Sequence, residues 1–241
     1  MKSINELTLK EKIGQLVFAG FPGYEYDEHL QKLIEEYKLG NVILFTRNIK
    51  NIKQLHDLNY KIHEEIRMNT GIMPFISIDQ EGGMVTRIME EATFLPGNMT
   101  LATSNPHNAY LMGKIAGFEL RALGINMNLA PVLDVNNNPL NSVVLVRSYS
   151  DNSEVVSKYG VEYIKGLQET GLIATAKHFP GHGDTDADSH YFLPVVNHSI
   201  DRIHKVELVP FIAAIKNGVD AIMSAHVFFT AYEKDKIDRK S

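Results

Sequence analysis

The chain has 241 residues, with 24 Lys plus Arg against 29 Asp plus Glu and a formal charge of −5 when His is neutral. It has no cysteine, which excludes a disulfide scaffold, a thiolate zinc site and a cysteine nucleophile, and the mildly acidic balance argues against nucleic acid or an anionic membrane as the main partner. No apolar run approaches the ~18 residues needed to span a bilayer, and Met1-Lys-Ser-Ile-Asn-Glu6 lacks signal-peptide character, so a soluble, cytoplasmic protein is expected.

Along the chain a beat repeats: amphipathic helix, glycine, short apolar strand. Thr8-Leu-Lys-Glu11 is a capping-box match ahead of a first strand near Leu16-Val-Phe-Ala-Gly20. Leu30, Leu33, Ile34 and Tyr37 share one helical face, Gly40 is the expected left-handed stop, and Asn41-Val-Ile-Leu-Phe45 reads as a buried strand. Asn51 is the expected N-cap of a helix marked by Ile52, Leu55, Leu58, Ile62 and Ile66, which leads through Gly71 to Phe75-Ile-Ser-Ile-Asp79. A helix around Leu111, Ile115 and Phe118 leads through Gly124 to Ile125-Asn-Met-Asn-Leu129. One from about Ser153 to Gln168 leads through Gly171 to the strand Leu172–His178. Ile203, Val206, Val209 and Ala213 mark a last helix, before Gly218 and the strand Val219–His226.

Six strands alternating with helices favour a parallel α/β sheet, either doubly wound or a (β/α)8 barrel of the TIM type. Asp79, Asp134, Lys177, His178 and His226 all fall at or just past strand C-terminal ends, where a barrel gathers its site, and no Gly-x-Gly-x-x-Gly follows the first strand. The barrel is therefore the expected fold. At roughly 40 residues per unit a full barrel takes about 320, so about six of eight β/α units are expected within a single domain, 1–241.

The densest polar stretch is Lys177-His-Phe-Pro-Gly-His-Gly-Asp-Thr-Asp-Ala-Asp-Ser-His190. Lys177 and His178 project from a strand end, and Pro180, Gly181 and Gly183 make the rest a loop. Asp188 and His190, two apart, emerge on one side of an extended stretch, where a carboxylate equips an imidazole for proton transfer. The plain alternative is a solvated loop His with Asx-turn aspartates. A third possibility is a zinc or manganese site drawn from His178, His182, Asp184, Asp186, Asp188 and His190, although the spacing matches no Cys/His finger or His-Glu-x-x-His pattern. In Ile78-Asp-Gln-Glu-Gly-Gly-Met-Val-Thr-Arg87 a strand-end carboxylate, Asp79, suits two sugar hydroxyls, while a structural Asp79–Arg87 pair explains it equally well. Arg147, in Arg147-Ser-Tyr149, carries little alone, since most loop arginines are solvated.

In this order, Ile78-Asp-Gln-Glu-Gly-Gly with Arg87, Leu129-Ala-Pro-Val-Leu-Asp134, Arg147-Ser-Tyr149, Lys177-His-Phe-Pro-Gly-His-Gly183, Asp188-Ser-His190 and Met223-Ser-Ala-His226 resemble the N-terminal catalytic domain of glycoside hydrolase family 3. The closest likeness is its bacterial β-N-acetylglucosaminidase (β-hexosaminidase) branch. The resemblance implies a (β/α)8 barrel that needs no cofactor or metal and releases terminal β-linked N-acetylglucosamine from peptidoglycan or chitin fragments. It implies general acid/base catalysis by His190 with Asp188 as its orienting carboxylate. Contacts to the terminal sugar fall on Asp79, Arg87, Arg147, Lys177 and His178. A retaining mechanism through a glycosyl-enzyme follows, with imidazole in place of the usual second carboxylate.

The family's nucleophilic aspartate follows a seventh strand and is expected beyond residue 241. The 241 residues alone are thus expected to turn over little aryl β-N-acetylglucosaminide and to self-associate through unfinished barrel edges. The rival readings are a non-catalytic sugar-binding remnant, a metal-dependent hydrolase built on the His/Asp-rich loop, and a phosphorolytic variant of the same family.

Overall fold

The computed structural model describes residues 2–185 and 193–232. Its strands are β1 (Phe18–Ala19), β2 (Asn41–Leu44), β3 (Phe75–Ile78), β4 (Met127–Asn128), β5 (Ile173–Phe179), β6 (Val195–Val196), β7 (Ala221–Ser224) and β8 (Phe228–Phe229). The helices are α1 (Leu9–Gln15), α2 (Glu28–Glu35), α3 (Ile52–Thr70), α4 (Asn98–Leu101), α5 (His107–Ala122), α6 (Ser153–Glu169), α7 (Ile200–Lys205) and α8 (Leu208–Lys216).

Six strands form one parallel sheet in the order β1-β2-β3-β4-β5-β7, and β6 pairs with β8 in a small separate sheet. Neighbours in the large sheet follow chain order. A doubly wound sheet reverses its order at a switch point, so this topology is that of consecutive β/α units of a barrel. The expected α/β fold with six units is therefore found, and among the described residues β1 and β7 remain its two edges. No helix among them is long and apolar enough to cross a membrane.

The local signals act as the sequence implies. Thr8 and Glu11 form a reciprocal capping box at α1, and the Asn51 side chain accepts the Gln54 N–H at 2.8 Å to open α3. Gly71, Gly124, Gly171 and Gly218 all take positive φ between an outer helix and the next strand. Val42, Leu44, Ile76, Ile78, Ala174 and Ala176 are buried among Leu30, Ile34, Leu55, Ile62, Leu120, Ile164 and Leu167 from the helices.

Four expectations are corrected. Gly40 is not left-handed; Lys38 takes the turn at φ 59, and the Gln15 side-chain amide packs against Gly40. Tyr37 lies past the end of α2 and is exposed. The single helix through Ile203 and Ala213 is two, because Pro210 has no N–H to continue the ladder of α7. Leu111, Ile115 and Phe118 are exposed on α5, whose buried face is Ala109, Met112, Gly113, Ala116, Gly117 and Leu120.

That small-residue face lets α5 lie directly on α6. A Cβ on Gly166 would enter the shell of the Tyr110 carbonyl, and one on Gly113 that of Tyr163. Gly166→Ala should therefore push the helices apart and lower stability by about 1–3 kcal/mol. An unchanged urea midpoint would contradict this packing.

Candidate active site

At the C-terminal ends of β2, β3, β5 and β7 a cavity of about 710 Å³ opens. Its volume lies in the range of about 300–1,000 Å³ usual for small-molecule sites. Asp79, Glu81, Arg87, Arg147, Lys177, His178, His182, Met223 and His226 line it, with Ile43, Phe45 and Leu129 among its apolar walls.

Lys177 holds the centre. It is 2% exposed on β5, and its Nζ lies 2.7 Å from Asp79 Oδ1 and 2.6 Å from Glu81 Oε1. Arg147 meets the other side of Glu81 in a two-pronged bond, Nε to Oε2 at 2.9 Å and Nη2 to Oε1 at 2.8 Å. Burial penalises the Glu81 charge, but the Lys177 ammonium and the Arg147 guanidinium outweigh it and hold the carboxyl down at about 2. Burial likewise works against the Arg147 charge, yet the Glu81 carboxylate raises its pKa above the ordinary value. Arg87 reaches Asp79 only at 3.8 Å, so the closer counter-charge of Asp79 is Lys177.

Short-range geometry aims these groups. After β3, Gly82 (φ 91) and Gly83 (φ 57) bend the chain back, and Glu81 N–H donates to the Val85 carbonyl at 2.9 Å. The Gln80 side chain accepts the Arg87 N–H at 2.8 Å, which fixes where Arg87 leaves the turn. Buried Asn128 on β4 donates to the Gln80 carbonyl at 2.9 Å and accepts its N–H at 3.0 Å, tying that turn to the sheet. Past Asn128 the chain stays bonded to both neighbours: Leu129 N–H donates to the Ile78 carbonyl at 2.8 Å, Thr175 N–H to the Ala130 carbonyl at 3.0 Å and Lys177 N–H to the Pro131 carbonyl at 3.1 Å. The pairing with β5 continues where Leu133 N–H donates to the Lys177 carbonyl at 2.6 Å.

That pairing delivers Asp134, which is fully buried behind His178. Its Oδ2 lies 2.7 Å from His178 Nδ1, and its Oδ1 accepts the His178 N–H at 3.2 Å and the His182 N–H at 2.7 Å. Desolvation opposes the Asp134 charge, but the neighbouring His178 and these donors depress its pKa. With Nδ1 engaged, Nε2 is the His178 nitrogen available to a ligand. Burial pushes the His182 pKa down, so at neutral pH its ring is uncharged, and its Nδ1 lies 2.8 Å from Thr185 Oγ1. His182 thus lowers stability as pH falls below the unfolded value of 6.5, where only the unfolded ring readily takes a proton.

All five expected sugar contacts, Asp79, Arg87, Arg147, Lys177 and His178, line this one cavity. Arg147 is held by Glu81 rather than solvated. Asp188 and His190 lie outside the described residues. The six-residue metal reading is not assembled among those described: His178 turns to Asp134, His182 to Thr185, and Asp184 to His198. Glu81, Gln80 and the Asp134–His178 pair were not assigned from sequence. Glu81 and Asp134 stood inside motifs already singled out, but their partners lie far along the chain.

Three cations and two carboxylates line the cavity, and the cations are already engaged by carboxylates. Such a surface suits a neutral polyhydroxy ligand, each hydroxyl meeting a charged acceptor or donor, better than a phosphate.

Over residues 8–240 the chain matches the glycosyl hydrolase family 3 N-terminal domain. It is 42% identical over 215 residues to beta-hexosaminidase A of Pseudoalteromonas piscicida, covering 86% of this chain and 36% of that protein. It aligns with a glycoside hydrolase family 3 beta-N-acetylglucosaminidase from Paenibacillus sp. str. FPU-7 at a TM-score of 0.93 and 50% identity, covering 95% of this chain and 44% of that one. With NagZ from Neisseria gonorrhoeae, solved in complex with N-trifluoroacetyl-D-glucosamine, the TM-score is 0.83 at 32% identity, over 90% of this chain and 65% of the other. The chain therefore spans less than half the length of the first two relatives. It belongs to glycosyl hydrolase family 3, through that family's N-terminal domain.

Proposed function

We propose that the cavity takes a terminal β-linked N-acetylglucosamine of a peptidoglycan or chitin fragment, which the whole polypeptide releases by retaining hydrolysis in the cytoplasm. The observation that carries this reading is the meeting of Asp79, Arg87, Arg147, Lys177 and His178 in one cavity with paired charges. Asp79 Oδ2 accepts a sugar hydroxyl, Lys177 and Arg147 donate to others, and Asp134 orients His178 Nε2 toward the ring.

The chemistry falls to His190, oriented by Asp188. The imidazolium gives its proton to the glycosidic oxygen while a carboxylate attacks the anomeric carbon, and the aglycone leaves as an alcohol. The neutral imidazole then takes a proton from water, whose oxygen displaces the carboxylate and restores the β configuration. A residue that is neutral when unprotonated avoids placing a second anion beside the nucleophile. Asp79 and Glu81 are paired with Lys177, and by the family resemblance the nucleophile is instead an aspartate after a seventh strand, beyond residue 241. The same pairing favours a second reading for the chain taken alone: sugar binding without turnover.

Calorimetry with N-acetylglucosamine tests the cavity. The folded chain should give heat that Lys177→Met removes, and no heat from folded wild-type protein would sink the assignment. The edges of the large sheet expose Phe18 and Ile222, and Ile212 and Ile215 stand exposed on α8. Sedimentation should accordingly show association that grows with concentration. A chain that stays monomeric throughout would count against apolar edge contacts.

A further inference from the structure

The chain leaves β5 through Pro180 and Gly181 and is then held by the segment that joins β4 to α6. Asn141 makes the connection. Its side chain is buried, and its Nδ2 donates to the His182 carbonyl at 2.8 Å and to Thr185 Oγ1 at 3.1 Å. Its Oδ1 accepts the Val143 N–H at 2.9 Å and the Val144 N–H at 2.7 Å. An amide offers two donor hydrogens and two acceptor lone pairs. All of that capacity is used here, half on the turn of Asn141 itself and half on the segment after β5. The two segments meet twice more: Asn138 Nδ2 donates to the Thr185 carbonyl at 3.3 Å, and a Cβ on Gly183 would collide with the Val135 carbonyl.

Thr185 is the receiving end. It is 1% exposed, and its Oγ1 also lies 2.8 Å from Nδ1 of buried His182, whose N–H donates to Asp134 Oδ1 at 2.7 Å. On the other side of Asn141, the Val143 carbonyl accepts Arg147 Nη1 at 3.1 Å. One side chain thus stands between the turn that supports Arg147 and the point from which the chain runs on to Asp188 and His190, three and five positions past Thr185. Neither Asn141 nor Thr185 lines the sugar cavity.

We propose that Asn141 and Thr185 are positioning residues for proton transfer. They fix the start of the segment that carries His190 against the wall that carries Arg147, so that the acid is presented to the glycosidic oxygen of a sugar bound in the cavity. The role rests on the reading of His190 as general acid/base. A misplacement of about 1 Å lowers a rate by up to about 10²-fold, and a general acid/base supplies about 10²–10⁴-fold. The two residues can therefore govern a large part of that factor without touching substrate. The bond from Asn141 needs only the hydroxyl of Thr185, so serine serves there and valine does not.

The test is steady-state kinetics of Thr185→Val, Thr185→Ser and Asn141→Ala in a polypeptide that carries the rest of the barrel, each alone and combined with His190→Ala. On an aryl β-N-acetylglucosaminide with a poor leaving group, Thr185→Val and Asn141→Ala should lower kcat by about 10–100-fold and move KM by less than about threefold. Thr185→Ser should keep the wild-type rate. In the His190→Ala background neither substitution should lower the rate further, since no acid remains to be positioned. Where one of the two variants does not fold, the other carries the test. Equal losses with and without His190 would overturn the proposal, because the pair would then act on the cavity at large. So would an unchanged kcat, or a loss confined to KM, which would trace to Arg147. Full turnover by His190→Ala is a separate failure: it removes the acid/base reading itself, and the role of Asn141 and Thr185 with it.

Discussion

Glu81→Ala should lower the unfolding free energy by about 3–5 kcal/mol, the usual penalty for removing one partner of a buried ion pair. Glu81 is the carboxylate shared by Lys177 and Arg147, with contacts at 2.6 and 2.8 Å. Its loss leaves a 2%-exposed ammonium supported by Asp79 alone and an arginine with its two-pronged partner gone. Glu81→Gln keeps the shape and one acceptor, so its penalty should be smaller. Acid offers an independent check. The Glu81 pKa is held near 2 in the folded chain against 4.5 otherwise, so its contribution is complete above 4.5 and fades as pH falls through 2. Wild-type stability should drop across that window more steeply than that of Glu81→Gln. A Glu81→Ala chain that melts like wild type would mean that the network carries no net stability.

His190→Ala, in a polypeptide that carries the rest of the barrel, should reduce hydrolysis of an aryl β-N-acetylglucosaminide by about 10²–10⁴-fold, the range typical of a lost general acid/base. The sugar-contact residues are untouched, so the KM should change far less than kcat. The deficit should shrink for substrates with good leaving groups in the glycosylation half-reaction, because an acidic phenol departs without protonation. Asp188→Asn should follow the same pattern at smaller size, since it removes the orienting charge but leaves the ring. Undiminished turnover by His190→Ala would move the proton transfer to another group.

The large sheet could be read from the sequence because burial there follows chain period. Ile76 and Ile78, or Ala174 and Ala176, sit in short runs behind a left-handed glycine, and that rhythm survives folding almost residue by residue. Elements governed by neighbours from elsewhere were harder. Leu111, Ile115 and Phe118 look like a core stripe, yet the face of α5 that is buried is chosen by Gly113 and Gly117, which permit contact with α6. In the cavity, residue types at strand ends were enough to single out Asp79, Lys177 and His178. Glu81 was passed over because its value comes from Arg147 and Lys177, 66 and 96 positions away, and no local spacing announces such partners. Arg147 looked solvated for the same reason.

The most direct measurement is a crystal structure of the chain with N-acetylglucosamine. The sugar hydroxyls should lie within hydrogen-bond distance of Asp79, Arg147, Lys177 and His178, with the ring over the apolar wall at Leu129. A sugar bound away from these four side chains, in a crystal where their cavity stands open to solvent, would contradict the assignment.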